Sequence, residues 1–209
     1  MPDLIIIAGC NGAGKSTFAP SFLPENLNSF DYDRTYLENY NSLPDSEFRD
    51  KFATDQTIKD FESSIENAIK TKSSFCYETN FDTYPVFWAE KFKENGYRVN
   101  LIFFCLESQE IAEHRVQVRT EFKGHFVDNQ TIDLKWKAGY KNLNLHFKMF
   151  DNILLVDNSK QNEVYTNLVQ IENGEVEIMA DKIPDYFKNR LPEIFNLIEK
   201  NNNSTNGDK

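Results

Sequence analysis

The sequence predicts an α/β fold with a central, mostly parallel β-sheet, and two observations carry this prediction. Short runs of apolar, β-branched residues alternate with longer stretches in which apolar residues recur at helical spacing, an order typical of strands buried between helices. The first such run, residues 4–8, leads directly into a glycine-rich segment. At 209 residues the chain is long enough for one such domain. We predict a single domain over residues 1–200 and a disordered polar tail over residues 201–209, which contain no apolar side chain.

The glycine-rich segment, residues 9–16, matches the phosphate-loop pattern of Gly, four residues, Gly, Lys and Ser or Thr. Its glycines let main-chain N–H groups wrap a polyphosphate at the positive end of a helix. Lys15 is expected to bind the β- and γ-phosphates of ATP, and the Ser16 hydroxyl to bind a bridging Mg²⁺. The alternative is a glycine-rich turn with a surface lysine. The predicted nucleotide-binding residues are Gly9, Cys10, Asn11, Gly12, Ala13, Gly14, Lys15, Ser16 and Thr17.

Composition limits the classes of partner. The formal net charge of −10 argues against nucleic acid as the main partner, because binding to phosphate backbones relies on clustered Lys and Arg. The three cysteines are scattered, which suits buried thiols in a reducing cytosol better than a disulfide framework. The chain has no basic leader and no apolar run of membrane-spanning length. We therefore expect a cytoplasmic protein that binds neither nucleic acid nor a membrane.

Two aspartates follow the first predicted helix, which covers residues 17–23 and ends at Pro24. Residues 29–33 alternate aromatic and acidic side chains, so in an extended conformation Asp31 and Asp33 share one face. Such a pair repels unless a cation or a substrate binds it. The alternative is a polar strand end or a helix cap.

A glutamate marks the end of the second predicted strand. Residues 48–69 have helical apolar spacing with a break near residues 53–54, and residues 74–77 form a short strand that ends at Glu78. An acid at the carboxyl end of a strand points into the ligand crevice of an open α/β sheet. A solvent-exposed strand-end glutamate is the alternative.

A pair of arginines follows the third strand. A helix over residues 85–94 and a strand over residues 98–105 precede a helix that Ser108 is expected to cap, residues 109–122. Arg115 and Arg119 lie four residues apart on this helix, where like charges repel unless an anion binds. The alternative is a solvated face neutralised by neighbouring glutamates.

The remaining sequence predicts scaffold. Residues 131–149 should be helical, and residues 152–157 are another buried strand. Asn173 and Gly174 form a strong hairpin-turn signal between two β-rich segments. Pro184 is expected to open a final amphipathic helix.

Taken in order, these features resemble the zeta toxin family of P-loop kinases, especially its compact members. The resemblance spans roughly residues 4–159. It rests on the phosphate loop, on two acidic segments after strands, on the arginine helix with the following glycine and histidine, and on a polar turn after the next strand. The segments are residues 9–16, 30–33, 78–80, 115–125 and 157–159.

The resemblance implies a P-loop NTPase/kinase-like three-layer fold with a helical lid and ATP-dependent phosphorylation of a sugar hydroxyl of UDP-N-acetylglucosamine. It assigns to Asp33 the action on the acceptor hydroxyl, to Glu78 substrate binding, and to Arg115 and Arg119 contacts with the phosphates. With Lys15, the aspartate and the two arginines form the expected catalytic set. The expected substrate-binding residues are Asp31, Glu78, Asn80 and His125.

Two functional hypotheses follow. The first is an ATP- and Mg²⁺-dependent small-molecule kinase in which Asp33, or alternatively Asp31, is the general base. Its acceptor is a nucleotide sugar, or else a different sugar or nucleoside. The second is an ATP-binding interaction module without productive turnover, held inactive by a small antitoxin-like protein partner. This hypothesis stands beside the first because a fold does not fix a function.

Overall fold

A central β-sheet organises the chain in the computed structural model, which describes residues 1–121, 127–160 and 164–206. Within these residues six strands form one sheet in the order β2-β1-β3-β4-β5-β6. Strands β1 to β4 pair in parallel, whereas β5 and β6 are antiparallel. The predicted mostly parallel sheet is confirmed. The strands are β1 (Asp3–Ala8), β2 (Phe75–Thr79), β3 (Arg98–Cys105), β4 (Asn152–Asp157), β5 (Thr166–Glu172) and β6 (Glu175–Met179).

Helices cover both faces of the sheet. Alternate residues of β1 point to opposite sides: Ile6 packs with residues of α3, α4 and α8, whereas Ile7 packs with residues of α5. The predicted three-layer architecture is confirmed. The helices in the described ranges are α1 (Lys15–Phe18), α2 (Tyr32–Ser42), α3 (Arg49–Thr71), α4 (Phe87–Glu94), α5 (Gln109–Glu121), α6 (Asn129–His146), α7 (Asp185–Arg190) and α8 (Pro192–Asn206).

The first helix is shorter than predicted. It ends at Phe18 and continues as a 3₁₀ helix, Ala19–Phe22. Pro20 lies in the first turn of this 3₁₀ helix, and a proline inside a helix removes a backbone donor and clashes with the preceding turn. The single helix over residues 17–23 is therefore replaced by two short segments.

Helix α3 is continuous where the sequence predicts a break. Ala53 and Thr57 are fully buried, and the Thr57 hydroxyl donates to the Ala53 carbonyl. Asn39 of α2 donates to the Thr57 hydroxyl and to Asp60, so two helices meet across small and polar side chains. Phe52, one of the apolar residues at helical spacing, is 56% exposed. The predicted break is wrong because α3 packs here against helix α2, and a contact between two helices accommodates small side chains.

The C-terminal region contains the predicted hairpin and a divided final helix. Asn173 and Gly174 have φ of 49° and 87°, as the two central residues of a type I′ turn require. Pro192 starts α8 and separates it from α7, so the single helix expected from Pro184 is two. Helix α8 extends to Asn206 and so includes residues 201–206, for which the sequence analysis expects a disordered tail. Extending a formed helix adds one hydrogen bond for each residue that is fixed.

Candidate functional site

The glycine-rich loop joins β1 to α1 at the carboxyl edge of the parallel strands, where open α/β sheets bind ligands. Gly12 and Gly14 have φ of 81° and 96°, which side chains rarely allow. A Cβ at Gly12 would lie 2.5 Å from the Ala112 carbonyl oxygen, and one at Gly14 would lie 2.4 Å from Nδ2 of Asn158. The glycines thus serve both the loop conformation and its close packing against α5 and the end of β4.

Lys15 is the first residue of α1, and its ammonium group is held by oxygens of the loop and of Asn80. Its Nζ donates to the carbonyls of Gly9 at 2.8 Å and Cys10 at 3.2 Å, and to Oδ1 of Asn80 at 3.3 Å. Burial lowers the pKa of Lys15, and the negative charges of Glu78 and other nearby acidic groups oppose this effect. Asn80, which the sequence assigns to substrate binding, therefore also orients the lysine.

Ser16 lies between two carboxylates. Its Oγ is 2.7 Å from Oε2 of Glu78 and 3.1 Å from Oδ2 of Asp31, and the Ser29 hydroxyl donates to Oε1 of Glu78 at 2.9 Å. One hydroxyl proton can serve only one of these acceptors at a time. A hydroxyl and two carboxylates are the hard oxygen donors that Mg²⁺ prefers, so the donor set at Ser16 fits this ion.

The environment of Glu78 opposes its negative charge. Burial raises the pKa of the Glu78 carboxyl, and the negative charge of Asp31 adds to this effect, while hydrogen bonds from Ser16 and Ser29 lower the pKa. Glu78 also lies at the end of β2, as predicted, and lines the cleft. Glu78 is half-buried, so the alternative of a solvent-exposed strand-end glutamate is wrong.

Replacing Glu78 with glutamine is expected to raise the thermal stability at neutral pH. A carboxyl whose pKa is raised in the folded protein contributes stability in its protonated form, and this contribution is lost as the pH rises through that pKa. Calorimetry over a range of pH should show a higher Tm for Glu78→Gln at neutral pH and convergence with the wild type at acidic pH. The exposed Glu25→Gln is the control. A lower Tm for Glu78→Gln at neutral pH would contradict the raised pKa.

Asp31 and Asp33 lie at the start of helix α2, so the predicted extended segment is wrong. Phe30 makes an isolated parallel bridge with Tyr77, and Asp31 then caps α2 by accepting from the amide of Arg34 at 3.2 Å. Asp33 lies in the first helical turn. Aspartate is favoured at both positions because the first amides of a helix lack partners and carry partial positive charge. Both aspartates nevertheless line the cleft.

The two arginines of α5, Arg115 and Arg119, line the same cleft. Arg115 contacts the carbonyls of Gly12 at 3.5 Å, Ser159 at 3.5 Å and Lys160 at 3.2 Å. Burial lowers the pKa of the Arg115 guanidinium. Arg119 also lines the cleft, although its side chain is exposed, whereas Arg115 is half-buried. His125 lies outside the described residues.

The cleft has a volume of about 890 Å³ and includes residues to which the sequence assigned no functional role. Asn158, which is 5% exposed, donates from Nδ2 to the Ala13 carbonyl at 2.8 Å and so fixes the phosphate loop from β4. Lys135 and Lys160 add positive charge. Aromatic residues also line the cleft. The aromatic residues at the cleft are Phe18, Phe30, Tyr32, Phe61, Tyr77, Tyr84, Phe87 and Trp88.

A parallel sheet, a glycine-rich phosphate loop between its first strand and helix, and a helix that brings arginines over that loop define a P-loop kinase-like protein. The chain belongs to the zeta toxin family, because the family model described as zeta toxin matches residues 1–170. The predicted resemblance is confirmed. A comparison with curated proteins finds no match.

Solved structures support the fold. A structure from the PezAT chromosomal toxin-antitoxin system of Streptococcus pneumoniae is similar, with a TM-score of 0.63, 18% sequence identity, and coverage of 95% of this chain and 88% of that chain. A structure of the AvrRxo1-ORF1:-ORF2 complex gives a TM-score of 0.66 at 12% identity, covering 91% of this chain and 64% of that chain. The same complex with ATP gives 0.65 at 12% identity and the same coverage. At these identities the likeness concerns the fold.

Among the described helices, none is long and apolar enough to cross a membrane. The three cysteines are buried and free. Burial raises the pKa of the Cys10 thiol to about 11, although the positive charge of Lys15 opposes this effect. A neutral thiol is a poor nucleophile, so Cys10 contributes to the packing of the phosphate loop.

Proposed function

We propose that this protein is an ATP-dependent small-molecule kinase that transfers the γ-phosphoryl group of ATP to a hydroxyl of a nucleotide sugar such as UDP-N-acetylglucosamine. One observation carries the proposal: a phosphate loop, two aspartates, a glutamate and two arginines line a single cleft. Phosphoryl transfer depends mainly on positioning and on neutralising charge. The cleft supplies cations for the phosphates and carboxylates for the acceptor.

Each charged group has a distinct role in this proposal. Lys15 binds the β- and γ-phosphates, and Arg115 and Arg119 offset the charge that develops on the transferred phosphoryl group. Asp33 accepts the proton of the acceptor hydroxyl. Asp31 is the alternative base, but it already caps α2 and contacts Ser16, which favours Asp33.

Ser16 would hold Mg²⁺ together with Asp31 and Glu78, whose carboxylates lie within hydrogen-bond distance of the Ser16 hydroxyl. When bound, this ion would neutralise charge on the phosphate oxygens. The serine hydroxyl already lies within hydrogen-bond distance of both carboxylates, so the protein orients these oxygens before any ligand binds. Glu78 also orients the acceptor, and Asn80 and His125 complete the proposed substrate-binding set together with Asp31.

The family supports the nucleotide-sugar acceptor, and so does the chemistry of the cleft. Tyr84 and Phe87 are 62% and 48% exposed and line the cleft. Aromatic rings bind the flat faces of bases and sugars while leaving polar edges free. A cleft lined by both cations and aromatic rings suits an acceptor with both charged and planar parts.

We further propose a small antitoxin-like protein partner and a cytoplasmic location. The PezAT structure is described as part of a toxin-antitoxin system, and AvrRxo1-ORF1 was solved in complex with ORF2. The net charge of −10 supports the absence of a nucleic-acid partner. No membrane partner is proposed.

Incubation with γ-labelled ATP, Mg²⁺ and a panel of nucleotide sugars, free sugars and nucleosides tests the proposal. Transfer of label to a nucleotide sugar is the expected result. Transfer only to a free sugar or a nucleoside would replace the acceptor class. ATP binding without transfer to any compound would support the regulatory ATP-binding module instead.

A further inference from the structure

We propose that Arg190 is a positioning residue that fixes the N-terminal end of helix α5 and thereby aligns Arg115 and Arg119 with the phosphate loop. Arg190 is the last residue of α7, which follows the part of the chain matched by the family model, residues 1–170. It contacts the segment between β3 and α5. The effect on turnover rests on the kinase function proposed above, whereas the effect on α5 does not.

Arg190 binds the two carbonyls that lead into α5. Its Nη1 donates to the Leu106 carbonyl at 2.7 Å, and its Nη2 donates to the Glu107 carbonyl. These carbonyls belong to the segment that links β3, which ends at Cys105, to α5, which begins at Gln109. A guanidinium has the planar fork of donors needed to bind two neighbouring oxygens at once.

Other side chains hold the amide side of the same two residues. The Tyr140 hydroxyl accepts from the Leu106 amide at 2.8 Å and donates to its carbonyl at 2.9 Å. Oγ of Ser159 accepts from the Glu107 amide at 2.7 Å. Both backbone groups of both residues therefore have side-chain partners, and Arg190 is the partner contributed from beyond residue 170.

Three aromatic rings keep the guanidinium in place. Its carbon lies 4.2 Å from the ring centre of Trp136, 4.7 Å from that of Tyr186 and 5.3 Å from that of Tyr140. Distances below about 6 Å allow attraction between a cation and the face of a ring. The rings on α6 and α7 thus restrict the conformations of the arginine side chain and hold its guanidinium next to the two carbonyls.

The N-terminal end of α5 determines the position of Arg115, because the hydrogen bonds that Arg115 itself makes are long. They measure 3.2 to 3.5 Å, which is near the limit of a hydrogen bond. Arg115 lies six residues after Gln109, about 9 Å along the helix axis at 1.5 Å per residue. A tilt at the start of α5 therefore moves the guanidinium relative to the phosphates, and a misplacement of about 1 Å can cost about 100-fold in rate.

Arg190→Lys and Arg190→Ala, compared with wild type, test this role. Lysine keeps the charge but cannot bind both carbonyls with a planar fork. Lys188→Ala is the matched control, because Lys188 lies on the same helix with its Nζ 5.2 Å from the ring centre of Phe195 and away from the two carbonyls. The measurements are hydrogen exchange of the α5 amides, ATP affinity by calorimetry, and kcat with KM. All are made at a temperature well below the Tm of each variant.

We expect Arg190→Lys to speed exchange within residues 109–121 and to lower kcat by about 10-fold, an intermediate value for a misplaced catalytic group. KM for ATP should change little, because Lys15 remains in place, and Arg190→Ala should have larger effects. Unchanged exchange in α5 together with unchanged kcat would overturn the proposal, even if Tm fell. If wild type transferred no phosphate, exchange in α5 would still decide the role of Arg190, while the kinase function would fail separately.

Discussion

Asp33→Asn is expected to lower turnover by about two to four orders of magnitude, the usual contribution of a positioned general base, while ATP binding is retained. The amide has nearly the same shape as the carboxylate but cannot accept the acceptor proton. Asp33 lies in the first turn of α2 and is not its cap. Loss of its charge near the helix start should therefore cost only about 0.3 to 1 kcal/mol. The measurements are steady-state kinetics, with calorimetry for ATP affinity.

Asp31→Asn is the matched control for Asp33→Asn. Asparagine caps helices about as well as aspartate, so α2 should remain intact. If Asp33 is the base, Asp31→Asn should lose less turnover and show a weaker dependence on Mg²⁺, because Asp31 contacts Ser16. Near-normal turnover of Asp33→Asn, with a large loss for Asp31→Asn, would move the role of base to Asp31.

Lys15→Ala is expected to weaken ATP binding by about 100-fold or more, since charge-assisted hydrogen bonds contribute about 1.5 to 3 kcal/mol each. The fold should survive, because Nζ of Lys15 contacts loop carbonyls and Asn80 rather than the apolar core. Calorimetric titration with ATP measures the affinity, and circular dichroism verifies folding.

Lys135→Ala is the matched control for Lys15→Ala. Lys135 lines the same cleft from helix α6 and carries the same charge, but it lies outside the phosphate loop. We expect a smaller loss of ATP affinity for this variant. Equal losses for both variants would indicate a general electrostatic effect, and unchanged affinity for Lys15→Ala would overturn the assignment of the loop.

Local sequence signals predicted the sheet and the phosphate loop because both depend on short segments. The apolar run of β1 is buried between β2 and β3, and such burial favours continuous β-branched residues. Loop glycines are fixed by backbone conformation and by close contacts, which the motif already encodes. The hairpin at Asn173 was likewise a local signal.

Features that depend on distant partners could not be predicted in this way. Asn158 fixes the phosphate loop across 145 residues of sequence, and Arg190 reaches Leu106 across 84. No periodic pattern in the sequence predicts either contact. The aromatic residues that line the cleft, such as Tyr84, are also brought together by tertiary packing of separate segments.

The most direct measurement of the central claim is mass spectrometry of UDP-N-acetylglucosamine after incubation with ATP and Mg²⁺, using wild type and Asp33→Asn in parallel. We predict that wild type adds one phosphoryl group to the acceptor and forms ADP in equal amount, while Asp33→Asn binds ATP but forms little of either product. An unmodified acceptor with wild type, or equal product from both proteins, would contradict a phosphoryl-transfer site centred on Asp33.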